Sequence, residues 1–202
     1  LITWAVITEG GVQVNSEGQR FWDESQGYSE AARMVLSQTD GVAWTIFDQR
    51  IAGIARQFQD FKDAEAAGAI RRAETLAELA NICDLPVEAF CATMDCIPWG
   101  GTDGFGRCFG ATCLAPPYFA VKVTGALFHT QGGLDIDETA RVRLTNGDVM
   151  PNLFAAGGAA VGVSGRGDSG YLSGNGLLSA VVLGALSGAE AAMMTRKDDQ
   201  DA

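Results

Sequence analysis

The stretch with the clearest capacity for chemistry runs from Pro151 to Ala180. An apolar segment, Asn152–Ala156, leads directly into Gly157-Gly158, and after a Gly/Ser-rich loop Asn175-Gly176 opens a long apolar helix. Because glycine has no side chain, the backbone of such a loop can approach a flat ligand closely. The helix start adds unpaired N–H groups and the positive end of the helix dipole. The pattern therefore predicts a surface that binds a large, flat cofactor.

The cysteines and the single histidine offer a weaker alternative, a metal site. The chain has five cysteines, an odd number, with no Cys-x-x-Cys motif, and His129 is its only histidine. Two Cys-x4-Cys gaps resemble a metal clip, but no matching ligand spacing accompanies them. Buried, reduced cysteines in a cytoplasmic protein are the favoured interpretation, and no metal ligands are predicted.

Composition limits the class of partner. The formal charge of −11 and the lack of a Lys/Arg-rich run argue against nucleic acid and anionic membranes. The most apolar run, residues 177–194, contains two serines, two glycines and Glu190, which favours a buried globular helix over a membrane span. The chain begins at Leu1 and not at Met, which suggests a piece of a longer protein.

The first part of the chain is predicted to mix helices and strands. A hairpin is expected from Thr8 to Trp22, turning at Ser16-Glu17-Gly18, and a strand at Val42–Asp48. Helices are expected at residues 29–36, within 50–72, after the capping box Thr75–Glu78, and from Pro86 to about Cys96. Residues 98–117 are Gly-rich and predict an irregular surface loop.

The second part is predicted to start at the strand Tyr118–Val123. Two further strands, Leu134–Asp137 and Arg141–Leu144, are expected near an Asn146-Gly147 turn. The charged end of the chain predicts a disordered tail over residues 196–202. The fold class is α+β, with one unit over about residues 1–115 and a second segment over 116–195.

Three sequence blocks together resemble one superfamily, the FAD-dependent fumarate reductase and succinate dehydrogenase flavoproteins, which include the 3-ketosteroid dehydrogenases. The blocks are Val14-Asn15-x-x-Gly18-x-Arg20-Phe21-x-x-Glu24, then Tyr118-x-Ala120-Val121 leading to His129-Thr130-x-Gly132-Gly133-Leu134, then Leu153-x-Ala155-Ala156-Gly157 leading to Gly174-Asn175-Gly176. The resemblance implies that residues 1–115 are a substrate-capping domain. It implies that residues 116–195 are the carboxyl-terminal part of a Rossmann-like FAD-binding domain.

The same resemblance implies which residues contact FAD. They are His129, Thr130, Gly132, Gly157, Gly158, Gly174, Asn175, Gly176, Leu177 and Leu178. Gly158 stands where the family usually has an acidic residue that binds the ribose, so one contact is missing. The family's amino-terminal half, with its strand–GxGxxG–helix pyrophosphate site, has no match here, since no GxGxxG follows a strand near Leu1. FAD is therefore expected to need that missing domain as a partner, and not to be retained by this chain alone.

The positions that grip a dicarboxylate in fumarate reductases carry other residues here. The proton-donor arginine falls on Tyr28, the histidine on Phe128, the clamping arginine on Tyr171, and the Thr-Glu pair on Thr3-Trp4. These replacements remove charge and add apolar area. The resemblance therefore implies a small-molecule substrate that is apolar and carries a carbonyl.

The ketosteroid dehydrogenases are the better match at these positions, since they have a Glu-Ser-x-x-Tyr, matched by Glu24-Ser25-Gln26-Gly27-Tyr28. The resemblance implies that Tyr28 removes a proton next to the carbonyl, while Tyr171 and the backbone N–H of Asn175 polarise that carbonyl and a hydride passes to flavin N5. An ordinary tyrosine titrates near ~10, so such a base needs a neighbour that stabilises its anion.

Two other interpretations stay open. Arg166 is a candidate substrate clamp that would restore a carboxylate substrate, as in fumarate- or tricarballylate-type enzymes. Alternatively, the chain is an isolated domain that binds no flavin and has no activity, and Tyr28 is a packed surface aromatic.

Overall fold

The computed structural model describes residues 2–127 and 130–198, with side chains up to Met194. The chain forms two compact units, Leu1–Ala126 and Leu127–Ala202. Helices and strands are mixed in the first unit, as the α+β prediction requires. The boundary between the two units lies after Ala126 and not near residue 115. The reason is that the strand Tyr118–Thr124 pairs with strands of the first unit.

The first unit is built on a four-stranded antiparallel sheet in the order β1-β2-β4-β3. Its strands are β1 Val12–Val14, β2 Val42–Asp48, β3 Ile70–Ala73 and β4 Tyr118–Thr124. Strand β4 pairs along the whole of β2, from Val42 opposite Thr124 to Asp48 opposite Tyr118. The strand predicted to open the second unit is therefore a central strand of the first.

Among residues 2–126, six α-helices and two short 3-10 turns, Glu24–Gln26 and Thr39–Gly41, accompany this sheet. The α-helices are α1 Ala5–Thr8, α2 Tyr28–Leu36, α3 Gln49–Ala55, α4 Gln59–Ala66, α5 Leu76–Ile82 and α6 Val87–Asp95. The predicted capping box is confirmed, because the Thr75 side chain accepts from the Glu78 N–H at 3.1 Å and the Glu78 carboxylate accepts from the Thr75 N–H. The segment predicted as helical over 50–72 instead forms α3, α4 and the edge strand β3.

The predicted hairpin keeps its turn but loses its second strand. Asn15 and Gln19 close the turn with a 2.9 Å backbone bond, but the residues that follow do not pair with β1. Instead, the Gln13 N–H donates to Oε1 of Glu24 at 2.8 Å. A buried carboxylate thus satisfies the edge of β1 where a partner strand was expected.

The core of the first unit lies on both faces of the sheet. Along β2, Trp44 and Ile46 face one cluster, which also contains Phe90. Phe47 faces the other, where it stacks on Phe119 with ring centroids 5.6 Å apart. This alternation is the period-2 pattern of a strand buried on both sides.

The second unit contains a hairpin and one long helix. Its elements are β5 Arg141–Arg143, β6 Val149–Phe154, a short 3-10 turn at Gly157–Ala159, and α7 Asn175–Asp198. The Asn146-Gly147 turn is confirmed, with Gly147 N–H bonded to Leu144 O at 3.0 Å. The predicted strand at 134–137 forms only isolated bridges, to Ala160 and Val142.

Helix α7 corrects the prediction of a buried apolar helix. Leu177 is 78% exposed and Val181 70% exposed. The segment Asn175–Met194 has a mean hydropathy of 1.7, and 6% of it is buried. By its length and composition alone, this segment is able to span a membrane. The hydrophobic cluster recorded for this unit is small, with three buried residues and two partly buried ones, Val142, Ala155, Ala160, Ile136 and Leu183. Much of the helix surface is therefore left uncovered in this chain.

The end of the chain also differs from its prediction. Helix α7 continues through Asp198, into the segment predicted as a disordered tail, and residues 199–202 lie outside the described part.

All five cysteines are free thiols, but only Cys83 is fully buried, and the other four are partly or fully exposed. Burial raises the pKa of Cys83 to about 11, so that thiol stays protonated at neutral pH. The prediction of buried cysteines therefore holds for Cys83 alone. Within the described residues, no group of three or more His, Cys, Asp or Glu side chains is placed to hold a metal ion.

A buried charge cluster fixes the segment that precedes α2. The Glu24 side chain is fully buried, and its Oε2 lies 2.5 Å from Arg20 Nη2 and 3.0 Å from Arg107 Nη1. Arg20 also pairs with Asp103, and Arg107 donates to the Ile7 carbonyl at 3.1 Å. Because these side chains are shielded from water, each charge is stabilised mainly by its ion-pair partners. Removing one of them leaves the remaining buried charges without a partner, which destabilises the fold.

We predict that Glu24→Ala lowers the free energy of unfolding by about 3–5 kcal/mol, because it strands two buried guanidinium groups. The matched control is Glu65→Ala, which breaks a partly exposed pair with Arg56 at 2.7 Å and should cost about 0–1 kcal/mol. Urea unfolding of both variants measures the difference. Equal losses would contradict a structural role for the Glu24 cluster.

A second prediction concerns acid. Burial opposes ionisation of Asp103, but hydrogen bonds from the Arg20 side chain and the Arg107 N–H outweigh it and hold the pKa of Asp103 below its ordinary value. A lowered pKa contributes stability above the unfolded-state value, near ~3.9, and that contribution is lost as pH falls through the folded-state pKa. Wild type should therefore have a higher free energy of unfolding than Asp103→Asn at pH 7, and the difference between the two proteins should become smaller toward pH 3. Urea unfolding at several pH values measures this difference, and a difference that does not change with pH would contradict the prediction.

Candidate functional site

The second unit brings two backbone segments unusually close. Val161 N–H donates to Leu134 O at 3.0 Å, and Gly162 N–H donates to Gln131 O at 2.9 Å. A Cβ atom on Gly133 would overlap the backbone of the facing segment, and one on Gly162 would overlap the Gln131 side chain. Glycine is therefore required at position 133 for these segments to pack, and at position 162 it leaves room for the Gln131 side chain.

Asn175, the first residue of α7, joins this pair of segments to the helix. Its side chain is buried, with Oδ1 accepting from the Val163 N–H at 3.0 Å and Nδ2 donating to Gln131 Oε1 at 2.5 Å. Its own N–H donates to the Leu172 carbonyl at 3.2 Å. That N–H, suggested above as a donor to a substrate carbonyl, is occupied in this structure, so the visible role of Asn175 is to hold the site together.

Glycines leave an open surface around the start of α7. Gly157 and Gly174 have φ values of +57° and +81°, which other residues rarely adopt. A Cβ atom on Gly132, Gly158 or Gly174 would meet nothing within 4 Å. These three glycines are not needed for packing within the described part of the chain, and they leave backbone accessible to a ligand.

The residues present fit a flat cofactor with hydrogen-bond acceptors. Gln131 Nε2 is buried and has no hydrogen-bond partner among the described residues. A buried donor without a partner is costly, and a ligand acceptor would remove that cost. Together with the glycine surface and the positive end of the 24-residue helix α7, this orphan donor matches the needs of FAD.

Other predicted cofactor residues have mixed placements. Leu177 and Leu178 are exposed on the first turn of α7, and Gly176 is half-buried between them and Asn175. Thr130 is exposed. His129 and Phe128 lie outside the described residues, so their predicted contacts stay predictions.

The predicted substrate residues of the first unit form an aromatic pair. The rings of Trp4 and Tyr28 meet edge to face, with centroids 6.2 Å apart. Tyr28 is the first residue of α2 and is 45% exposed. Thr3 Oγ1 accepts from the Ala5 N–H at 3.4 Å at the start of α1. Trp4 is half-buried, and an accessible aromatic pair of this kind favours an apolar ring or chain over a small charged ligand.

The remaining two candidates, Tyr171 and Arg166, belong to the second unit. Their loop folds back on itself, with Gly165 N–H bonded to Gly170 O at 2.7 Å. Tyr171 is half-buried. The Arg166 side chain is exposed, and no ion pair or hydrogen bond is recorded for it among the described side chains. Both keep their predicted roles as predictions.

Sequence reasoning missed Gln131. Its signal was present, since a polar amide stands between Thr130 and the Gly132-Gly133 pair. Neither periodicity nor spacing, however, indicates that its side chain is turned inward to meet Asn175.

Comparison with known proteins agrees with this geometry. A family profile described as "FAD binding domain" matches residues 1–177. The probable fumarate reductase Ifc3 of Shewanella frigidimarina is 31% identical over 95% of this chain and 32% of its own length. The 3-oxosteroid 1-dehydrogenase of Mycobacterium tuberculosis is 27% identical over 81% of this chain and 36% of its own length.

A solved structure gives the same result. The open conformation of a flavocytochrome c3 fumarate reductase superposes with a TM-score of 0.74 at 31% identity, over 96% of this chain and 34% of that one. The chain thus spans about a third of the length of these relatives. Since the family match covers most of the sequence, the chain belongs to the FAD-binding flavoprotein family that includes the fumarate reductases and 3-oxosteroid dehydrogenases.

Proposed function

We propose that this chain is part of a FAD-dependent oxidoreductase that dehydrogenates or reduces a carbon–carbon bond next to a carbonyl. The observation that carries the proposal is the Trp4–Tyr28 ring pair, half-buried at Trp4 and exposed at Tyr28, which stands where the resemblance puts charged groups in fumarate reductases. Residues 1–115 would form the substrate-capping domain. The second unit would supply one side of the FAD site.

Bound FAD would supply the hydride acceptor, and this chain would supply binding and proton transfer. Tyr28 would take the proton from the carbon next to the carbonyl, while the Tyr171 hydroxyl would polarise that carbonyl. Trp4 would add apolar contact beside Tyr28. Because the Asn175 N–H is bonded to the Leu172 carbonyl, Tyr171 would polarise the substrate carbonyl without it.

We further propose that an amino-terminal FAD domain completes the site. Two observations support this: the chain spans about a third of its relatives, and the apolar surface of α7 around Leu177 and Val181 is uncovered. A domain that packs on this surface would remove it from water, which is the usual fate of large apolar patches. A cytoplasmic location, suggested by the free cysteines, stays a prediction.

We expect the purified 202-residue chain to be colourless and to take up little added FAD, and the full-length protein to show flavin absorbance in the visible range. The reason is that the amino-terminal strand–GxGxxG–helix site, which would bind the pyrophosphate of FAD, has no match in this chain. Tight, stoichiometric FAD binding by the chain alone would contradict the need for a partner domain. A full-length protein that binds no FAD would favour the third interpretation, an isolated domain without activity.

A second candidate function is oxidoreduction of a carboxylate, of the fumarate or tricarballylate type. Arg166 favours it, since its side chain is exposed and no ion pair is recorded for it in the described part of the chain. A free guanidinium can bind a carboxylate with two parallel hydrogen bonds. A reaction that needs Tyr28 would indicate a carbonyl substrate, and a reaction that needs Arg166 would indicate a carboxylate substrate.

In the full-length protein, Tyr28→Phe should lower dye-linked turnover of a ketosteroid by about 10²–10⁴-fold, because it removes the proposed base. Arg166→Ala is the matched comparison and should leave turnover nearly unchanged. Loss of activity only in the arginine variant would overturn the carbonyl mechanism and support the carboxylate one. Flavin absorbance of both variants checks that each still holds its cofactor.

A further inference from the structure

We infer that Gln131 is a further cofactor-positioning residue: its side-chain Nε2 donates a hydrogen bond to the pyrimidine ring of FAD, and Asn175 fixes its orientation. The inference rests on the proposed function, since it requires FAD to be bound. It adds a contact by a side chain that was not among the predicted cofactor residues.

The orientation of the Gln131 amide follows from its neighbours. Val163 N–H can only donate, so the Asn175 atom it meets at 3.0 Å must be the oxygen. Asn175 Nδ2 then points to Gln131 at 2.5 Å and must meet an oxygen there. The remaining atom of the Gln131 amide is the nitrogen Nε2, which takes no part in these two hydrogen bonds. Asn and Gln amide orientations are assigned from such networks, and here a backbone N–H sets the assignment.

No described residue of the chain accepts a hydrogen bond from this nitrogen. Gln131 Nε2 is buried and unpaired among the described residues. A buried amide donor without a partner costs roughly 1–3 kcal/mol, so it is retained only where something compensates. An acceptor on a ligand is such a compensation, and the family to which the chain belongs binds FAD.

The proposed acceptor lies in the pyrimidine ring of the flavin. Gln131 is held against Gly162 and against Asn175 at the positive end of α7. Within the flavin rings, the pyrimidine ring carries carbonyl oxygens and ring nitrogens that accept hydrogen bonds, whereas the dimethylbenzene ring carries none. The pyrimidine ring also gains negative charge on reduction, which a donor and a helix N-terminus both stabilise.

The test uses the full-length flavoprotein with two substitutions. Gln131→Leu removes the donor but also the oxygen that Asn175 needs. Gln131→Glu keeps an oxygen for Asn175 and replaces the donor with an acceptor. Gln57→Leu, at an exposed glutamine of the first unit, is the control. The readouts are the Kd for FAD, the rise in Tm that FAD causes, and the reduction potential of the bound flavin.

We expect both Gln131 variants to bind FAD about three- to tenfold more weakly, the effect of one hydrogen bond. The FAD-induced rise in Tm should shrink and the reduction potential should fall, while Gln57→Leu behaves as wild type. Equal lowering of the apo and holo Tm, with unchanged potential, would show a structural role only and overturn the inference. So would wild-type affinity in Gln131→Glu. If wild type itself binds no FAD, the proposed function fails and the inference fails with it.

Discussion

The buried Asn175 side chain is the interaction on which the candidate cofactor surface depends. It joins three segments that are distant in sequence: the strand-like segment at Gln131, the loop at Val163, and the first turn of α7. Its two side-chain bonds are partly buried, and each is worth roughly 0.5–1.5 kcal/mol to stability in a typical case. Gly162 leaves room for the Gln131 side chain, since a Cβ atom at position 162 would displace the Gln131 amide oxygen that Asn175 contacts. The same contacts therefore fix the position of the Asn175 side chain and the backbone of the segments that it joins.

The first unit uses a different device to hold the residues proposed to act on the substrate. The fully buried Glu24 carboxylate accepts from the Gln13 N–H at the edge of β1 and pairs with Arg20 and Arg107. It therefore anchors the short segment that ends at Tyr28. A proposed proton acceptor on an exposed helix start gains its position from this buried network, as functional side chains commonly do.

Local signals in the sequence predicted much of the fold, and long-range pairing explains most of what they missed. The capping box at Thr75, the Asn146-Gly147 turn and the strand β2 are local patterns, and all three are confirmed. Strand β4 looked like the start of a new unit because nothing local shows that its partners are β2 and β3. Glu24 replaced an expected strand partner through a side chain, which hydrophobic periodicity does not register.

Within the candidate site, glycine-rich spacing indicated the surface, and the resemblance indicated FAD. The orphan donor on Gln131 was not predictable, because it depends on how three amides orient one another across the fold. Burial of α7 was predicted from composition, but the helix surface is uncovered in this chain. Composition shows that a helix has an apolar surface, and it does not show whether the covering partner lies on the same stretch of chain.

The central claim is that residues 130–134 and 157–178 form one side of a FAD site in the full-length flavoprotein. Amide hydrogen exchange with and without added FAD tests it most directly, because local protection reports ligand contact and the ordering it causes. Slower exchange in these two segments on adding FAD, with little change in α4 and β3, is the expected result. Unchanged exchange in both segments, while FAD is shown to be bound, would contradict the account.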